Sequence, residues 1–232
     1  KDFGQWWYDK FLKDEKFLQL VKKEYSFEFT ESVENELDHL LNYLKRFRIL
    51  TATQVFSTGT KALNKIIRDL WLSENEANQL NSKHFSGEPV IVTENNYHLG
   101  LFNGDQGIFL NFIDSETKKL ELKAVFDVEG KVKTFYGNQL HHLQSAYATT
   151  VHKSQGSEFD HLALILPETS VDPITYKPEP DLKHNIMSRE MLYTALTRAK
   201  KSVLILGEKT MLETAALNKE KRFSGLGALI KN

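Results

Sequence analysis

The chain has no cysteine among its 232 residues, which excludes disulfides and thiolate metal sites. No charge of one sign dominates: 30 Lys and Arg stand against 31 Asp and Glu, so no overall positive field holds a polyanion and any nucleic-acid contact must be local. No run of about 20 apolar residues marks a membrane span, and no apolar core of a signal peptide is found. These absences fit a soluble protein of a reducing, cytoplasmic compartment with no membrane contact. The chemistry-bearing motifs are equally sparse. No G-x-x-x-x-G-K-[ST] phosphate loop occurs; "LILGEKT" (204–210) lacks the earlier glycine and the Gly-Lys pair, so Gly207 reads as a strand-to-helix turn. "LALILPE" (162–168) ends in Pro167-Glu168 where a magnesium-binding strand would end in aspartate. The eight histidines include His141-His142 but no H-E-x-x-H spacing, and they read as surface or structural groups with no metal site.

What is present is a globular pattern, with 41% hydrophobic residues, enough for one large domain or two modest ones. The chain opens on "KDFGQWWYDKFL", without a methionine and already aromatic, as a piece cut from a longer polypeptide would. Trp6, Trp7 and Tyr8 could stack bases or fill a core. From 31 to 48, Val33, Leu37, Leu40, Leu41, Leu44 and Phe47 recur at helical spacing behind a Thr30 or Ser32 cap. "RILTAT" (48–53) reads as a strand and "KALNKIIRDLWL" (61–72) as a helix. From 86 the pattern changes to short β segments, "EPVIVTE", "LGLF", "QGIFLNFI", "KLELKAVF" and "KVKTFY", broken by Asn103-Gly104-Asp105, Asp114-Ser115 and Glu129-Gly130. Strands of that length without helices between them predict a small barrel over 86–144. Alternation then returns: strand "YATTV", a polar loop, strand "HLALIL" (161–166), a proline-bearing loop through Asn185, a helix over 188–199, strand "SVLILG" and a helix over "KTMLETAALNK". The expected class is therefore α/β: a mostly parallel sheet covered on both faces, built from 1–85 and 145–232, with the β module inserted between them.

Two stretches concentrate polar chemistry. "ATTVHKSQGSEFD" (148–160) sits where a loop follows a strand's carboxyl end, the usual ligand edge of such a sheet. Its hydroxyls, amide, glycine and Lys153 form either a phosphate-facing surface or a solvated turn. In "SREMLYTALTRAKKSVLILG" (188–207), Met191, Leu192, Ala195 and Leu196 can face the sheet, while Arg198, Lys200 and Lys201 gather at the helix end. These cations either complement the helix dipole or let Arg198 project its fork of donors toward a phosphate.

In this order the residues resemble a known family. "YATTVHKSQGSEFDHLALILP" resembles motif V, and "SREMLYTALTRAKKSVLIL" motif VI, of superfamily 1B DNA helicases of the RecD type. "ENNYHLGLFNGDQGIF" (94–109) is similar to the segment that opens their small SH3-like barrel, and "RFSGLGALI" to their C-terminus. The resemblance implies a second RecA-like domain (2A) carrying an inserted SH3-like barrel (2B), part of an ATP-driven helicase that moves 5′ to 3′ on single-stranded DNA. It also implies RecB- and RecC-type partner subunits, as in the exonuclease V alpha subunit of double-strand break repair, or else a stand-alone helicase. A non-catalytic DNA-binding module with a helicase fold is the third possibility. ATP and Mg2+ would serve the whole protein, with the Mg2+ ligands outside this chain, which alone would be inactive. Arg198 matches the arginine that reaches the γ-phosphate. Gln155, Gly156 and Glu158 match the nucleotide-facing part of motif V, and Thr150, His152, Lys153 and Ser154 its DNA-facing part. "ILTATQVFSTGTKALNKII" aligns with motif IV but has Gln54 where the family places an arginine, and the first 48 residues match poorly.

Overall fold

The computed structural model describes residues 2–75, 83–114, 116–168 and 187–219. The chain begins with helix α1 (Asp2–Trp7), a π-helical turn (Tyr8–Leu12) and helix α2 (Glu15–Lys22), capped by the Asp14 carboxylate accepting from Phe17 N at 2.9 Å. A two-residue strand β1 (Tyr25–Ser26) precedes α3 (Glu31–Leu44), whose cap is Thr30, one of the two residues its sequence offers. Strand β2 (Phe47–Thr51) and helix α4 (Thr60–Glu74) follow. The β module comprises β3 (Pro89–Val92), β4 (Gln106–Ile113), β5 (Leu120–Val128), β6 (Lys131–Tyr136) and β7 (Leu143–Ser145). The chain returns through β8 (Ala148–Thr150), β9 (Phe159–Ile165), α5 (Arg189–Leu196), β10 (Ala199–Leu206) and α6 (Lys209–Leu217). The proline-bearing loop expected before α5 falls largely outside the described residues, as does "RFSGLGALI".

Two sheets result. The first is parallel, in the order β10-β9-β2-β8, and a hydrophobic core lies against each of its faces. Ile49, Ala148, Ala163 and Ile165 face one core with α3 and α4; Leu50, Leu162 and Leu164 face the other with α5 and α6. The central strands β2 and β9 alternate between the two cores, which is why "HLALIL" reads as a continuous apolar run, whereas Val203, Leu204 and Ile205 of β10, at the sheet's edge, are exposed. The second sheet is antiparallel along β6-β5-β4-β3-β7, and β1 joins β4 in parallel through Tyr25 and Phe112. Its end strands β6 and β7 do not pair among the described residues, so the pairings give an open sheet where a closed barrel was expected. β6 ends the sheet with exposed Lys131 and Lys133, a charge pattern that discourages further pairing. "LGLF", expected as a strand, is a turn with a single bridge from Asn96 to Leu101, because the Asn96 carbonyl accepts from the amides of both Leu99 and Leu101. Glu129 and Gly130 both have positive φ, at 55° and 77°, the twist that a two-residue hairpin turn requires.

Polar bonds fasten the two sheets where the β module leaves and rejoins the chain. Asn64 of α4 donates to the carbonyls of Ser145 and Ala148 at 2.8 and 3.0 Å, and its amide oxygen accepts from Ala148 N at 2.8 Å. Fully buried Glu88 accepts from Arg68 and from Ser145 Oγ (2.6 Å), with His84 Nδ1 at 2.8 Å. Trp7 and Tyr8 belong to the core beside α4, whereas Trp6 is exposed.

Candidate functional site

The site grows out of the eight-residue crossover that joins β8 to β9. These strands both run parallel to β2, which lies between them, and Thr150 and Ile165 flank Thr51 at its carboxyl end. Phe159 begins β9 six residues earlier, so the crossover descends about 20 Å along the sheet, from its carboxyl edge to its amino edge. The two candidate groups read from the sequence therefore lie at opposite edges, joined by one short piece of chain.

At the carboxyl edge a 3₁₀ turn spans His152–Ser154. Thr150 Oγ1 accepts from Lys153 N at 3.4 Å, and Ser154 Oγ donates to Val151 O at 2.7 Å. Thr150 is buried and Ser154 is only 1% exposed, and both hydroxyls bond within the turn. His152 is exposed. Lys153 Nζ donates to Gln144 Oε1 at 3.0 Å, and partial burial lowers its pKa. Gln54 lies exposed in the loop after β2 at this same edge, where its carbonyl accepts from Lys61 N; nearby, Ser57 donates to Glu168.

Gly156 turns the crossover at a φ of 85°, a left-handed conformation that glycine takes without steric cost, and both it and Gln155 are exposed. At the amino edge, Arg198 Nη1 donates to Ser157 O at 3.3 Å and its Nε to Thr194 O at 3.3 Å. The Arg198 carbonyl accepts from Phe159 N at 2.8 Å, which fixes its backbone to the first residue of β9. Its Nη2 makes no hydrogen bond among the described residues. The helix-dipole reading of this cluster holds in part, since Arg198 does cap a carbonyl of the last turn of α5. Lys200 and Lys201, however, lie in β10, at a bulge between the Ala199 and Ser202 pairings. Lys200 Nζ sits 3.1 Å from Glu158, and Lys201 Nζ 2.9 Å from Asp160, which Arg46 also approaches at 3.4 Å. The Lys201 hydrogen bond leads the causes that hold the Asp160 carboxyl below its usual range. Glu158 is thus engaged by a lysine, whereas among the described residues no carboxylate pairs with Arg198.

Sequence reasoning missed three participants: Ser157, whose carbonyl aims Arg198; Gln144, which holds Lys153; and Asn64, which fixes the start of β8. Ser157 acts through its backbone, so its side chain carries no signal. Among the described residues no group of three or more His, Asp or Glu could hold a metal ion, and no helix is long and apolar enough to cross a membrane.

Residues 145–206, from β7 through β10, match the family of the UvrD-like helicase C-terminal domain. The RecBCD enzyme subunit RecD of Haemophilus influenzae is 29% identical over 227 residues, covering 95% of this chain and 30% of that protein. The ATP-dependent RecD2 DNA helicase of Deinococcus radiodurans is 32% identical over 130 residues, covering 56% of this chain and 15% of its own length. The chain thus spans about three tenths of the RecD subunits it matches. Among solved structures, a Pif1 helicase from Bacteroides in complex with ADP-AlF3 and ssDNA aligns at 19% identity over 94% of this chain and 53% of that one, with a TM-score of 0.45. Residues 145–206 are accordingly a UvrD-like helicase C-terminal domain, and the chain is homologous to the RecD-like helicases over most of its length.

Proposed function

We propose that this chain is the second RecA-like domain of an ATP-dependent 5′-to-3′ DNA helicase, with the antiparallel module as its SH3-like insertion, and that the crossover of residues 151–158 couples nucleotide to DNA. The observation that carries this reading is the bond between Arg198 Nη1 and Ser157 O, since it ties the candidate phosphate sensor to the chain that forms the 152–154 turn at the other edge. Arg198 would direct its open Nη2 at the terminal phosphate, while the amide of Gln155 and the exposed backbone of Gly156 offer further donors. Bound ATP supplies the phosphoryl-transfer chemistry; the glycine-rich loop and Mg2+ ligands would come from a preceding motor domain. At the opposite edge, His152 and Lys153 would bear on the phosphates of a single strand without reading its sequence, while Thr150 and Ser154 hold the turn that presents them. A shift of Arg198 on ligand binding would pull on Ser157, and through it on the turn.

A role as a partnered subunit, with RecB- and RecC-type proteins in exonuclease V, is supported by the extent of the matches: the H. influenzae RecD subunit aligns over 95% of this chain and the D. radiodurans RecD2 helicase over 56%. In the full-length protein, Arg198→Ala should reduce DNA-stimulated ATP hydrolysis by at least about a thousandfold, the low end for a phosphate-directed arginine, while oligonucleotide binding stays near normal. Steady-state hydrolysis and fluorescence anisotropy measure the two. Near-normal hydrolysis would remove Arg198 from the site.

A further inference from the structure

The segment 94–103, between β3 and β4, sends Leu99 and Leu101 into the core of the antiparallel sheet but carries an aromatic pair, Tyr97 and Phe102, that belongs to no buried cluster. Tyr97 is 76% exposed and Phe102 46%, and their rings meet edge to face with centroids 6.0 Å apart. The pair is held in place from several sides. Asn95 Nδ2 donates to Tyr97 Oη at 3.2 Å, Asn95 Oδ1 accepts from Asn103 N at 2.8 Å, and the Asp105 carboxylate accepts from Phe102 N at 2.7 Å. Beside Tyr97 opens a cavity of about 240 Å3, lined by Asn95, Asn96, His98, His141 and His142 among others.

We propose that this cavity is a second contact for single-stranded DNA, in which Tyr97 stacks on a base and the neighbouring amides and imidazoles meet the base's polar edge. The proposal rests on the reading of the 152–154 turn as DNA-facing. Charge selects a base over a phosphate here. The lining contains no lysine or arginine, and the Glu94 carboxylate, 3.2 Å from His142 Nδ1, would repel a phosphate. A nucleobase is uncharged, presents a π face to an aromatic ring, and carries the donors and acceptors that asparagine and histidine satisfy. Phosphate contact is instead available next door. Lys153 reaches Gln144, which lies two residues, about 7 Å of extended chain, from His142 at the cavity wall. A strand whose phosphates pass Lys153 would therefore bring a base within reach of Tyr97, with phosphates positioned by one element and bases by another.

The test uses the full-length protein and an iodouracil-containing oligothymidine. Photocrosslinking with mass-spectrometric mapping should place adducts on Tyr97 or Phe102 as well as around Lys153. Tyr97→Ala should weaken oligonucleotide binding about tenfold, Tyr97→Phe should retain wild-type affinity, and the salt dependence of binding should stay unchanged, since no phosphate contact is lost. Lys153→Ala should instead lower the salt slope by about one. Because Tyr97 is largely exposed, its loss leaves the fold intact, which circular dichroism checks. Adducts confined to the Lys153 turn, with unchanged affinity in Tyr97→Ala, would overturn the proposal and leave the DNA-facing turn standing. Loss of a co-purifying polypeptide without loss of DNA affinity would also overturn it, making the patch a protein interface. Failure of the wild-type protein to bind the oligonucleotide would defeat the underlying reading itself.

Discussion

Gly156 separates backbone need from steric need, because a Cβ placed there would meet nothing within 4 Å, yet its φ is 85°. An alanine would fit the space and strain the chain. Gly156→Ala should therefore cost about 1–2 kcal/mol, the penalty for a left-handed L-residue, read as a lower urea midpoint of the isolated chain. In the full-length protein the same variant should lower DNA-stimulated hydrolysis more than DNA binding, because the strain falls between Arg198's contact at Ser157 and the 152–154 turn. The glycine was legible as a residue allowing unusual backbone, and Arg198 as a fork of donors at an element boundary. Ser154 was not: its hydroxyl looks like a ligand in sequence, but the 3₁₀ turn folds it back onto Val151 O. Whether a hydroxyl faces outward depends on a local geometry that residue type does not encode.

At the scale of elements, strands with regular alternation were the most legible; "QGIFLNFI" and "KVKTFY" coincide with β4 and β6. β1, two residues long, has no period to read, and its pairing with β4 is set by distant contacts. Sheet closure failed for the same reason, since it depends on which edges meet. The contact between elements with the clearest energetic signature is Arg48, in β2 and only 3% exposed. Its guanidinium donates to Ala146 O, between β7 and β8, and to Gln106 Oε1 of β4, and lies 5.1 Å from the Phe159 ring centroid. No carboxylate pairs with it among the described residues, Nε has no partner, and burial pushes its pKa down to about 10, so it remains charged at neutral pH. Arg48→Met should destabilise the chain by about 1–3 kcal/mol by leaving a buried carbonyl unpaired. Arg48→Lys should not restore it, since a compact ammonium lacks the planar fork that reaches both acceptors. Urea midpoints of the two variants measure both effects.

For the whole molecule, the question is whether the inserted sheet is an appendage or part of one folded unit with the parallel sheet. Sequence read it as a separate module, because its strand periodicity differs from that of its flanks. The packing joins them: one core contains Ile49, Ala163 and Ile165 of the parallel sheet together with Ile108, Leu110, Phe112 and Val125 of the antiparallel one. Phe112 is fully buried, and the rings of Tyr25, Phe27 and Phe29 lie 5.7–6.3 Å from it, so it binds the N-terminal segment to β4. Phe112→Ala should cost about 3–5 kcal/mol, as large-to-small changes in close-packed cores do. A shared core predicts more than the size of that loss. Trp7 and Trp71 belong to this core outside the antiparallel sheet, and their fluorescence reports that part of the molecule, whereas far-UV circular dichroism reports both sheets. In urea the two signals should fall together in wild type and in Phe112→Ala, with the midpoint lowered and the slope unchanged. An appendage would behave otherwise, with the dichroism signal falling first while the tryptophans stay native. Coincident transitions would mean that the two sheets unfold as one cooperative unit, held together by the core that Phe112 shares with Ile49, Ala163 and Ile165.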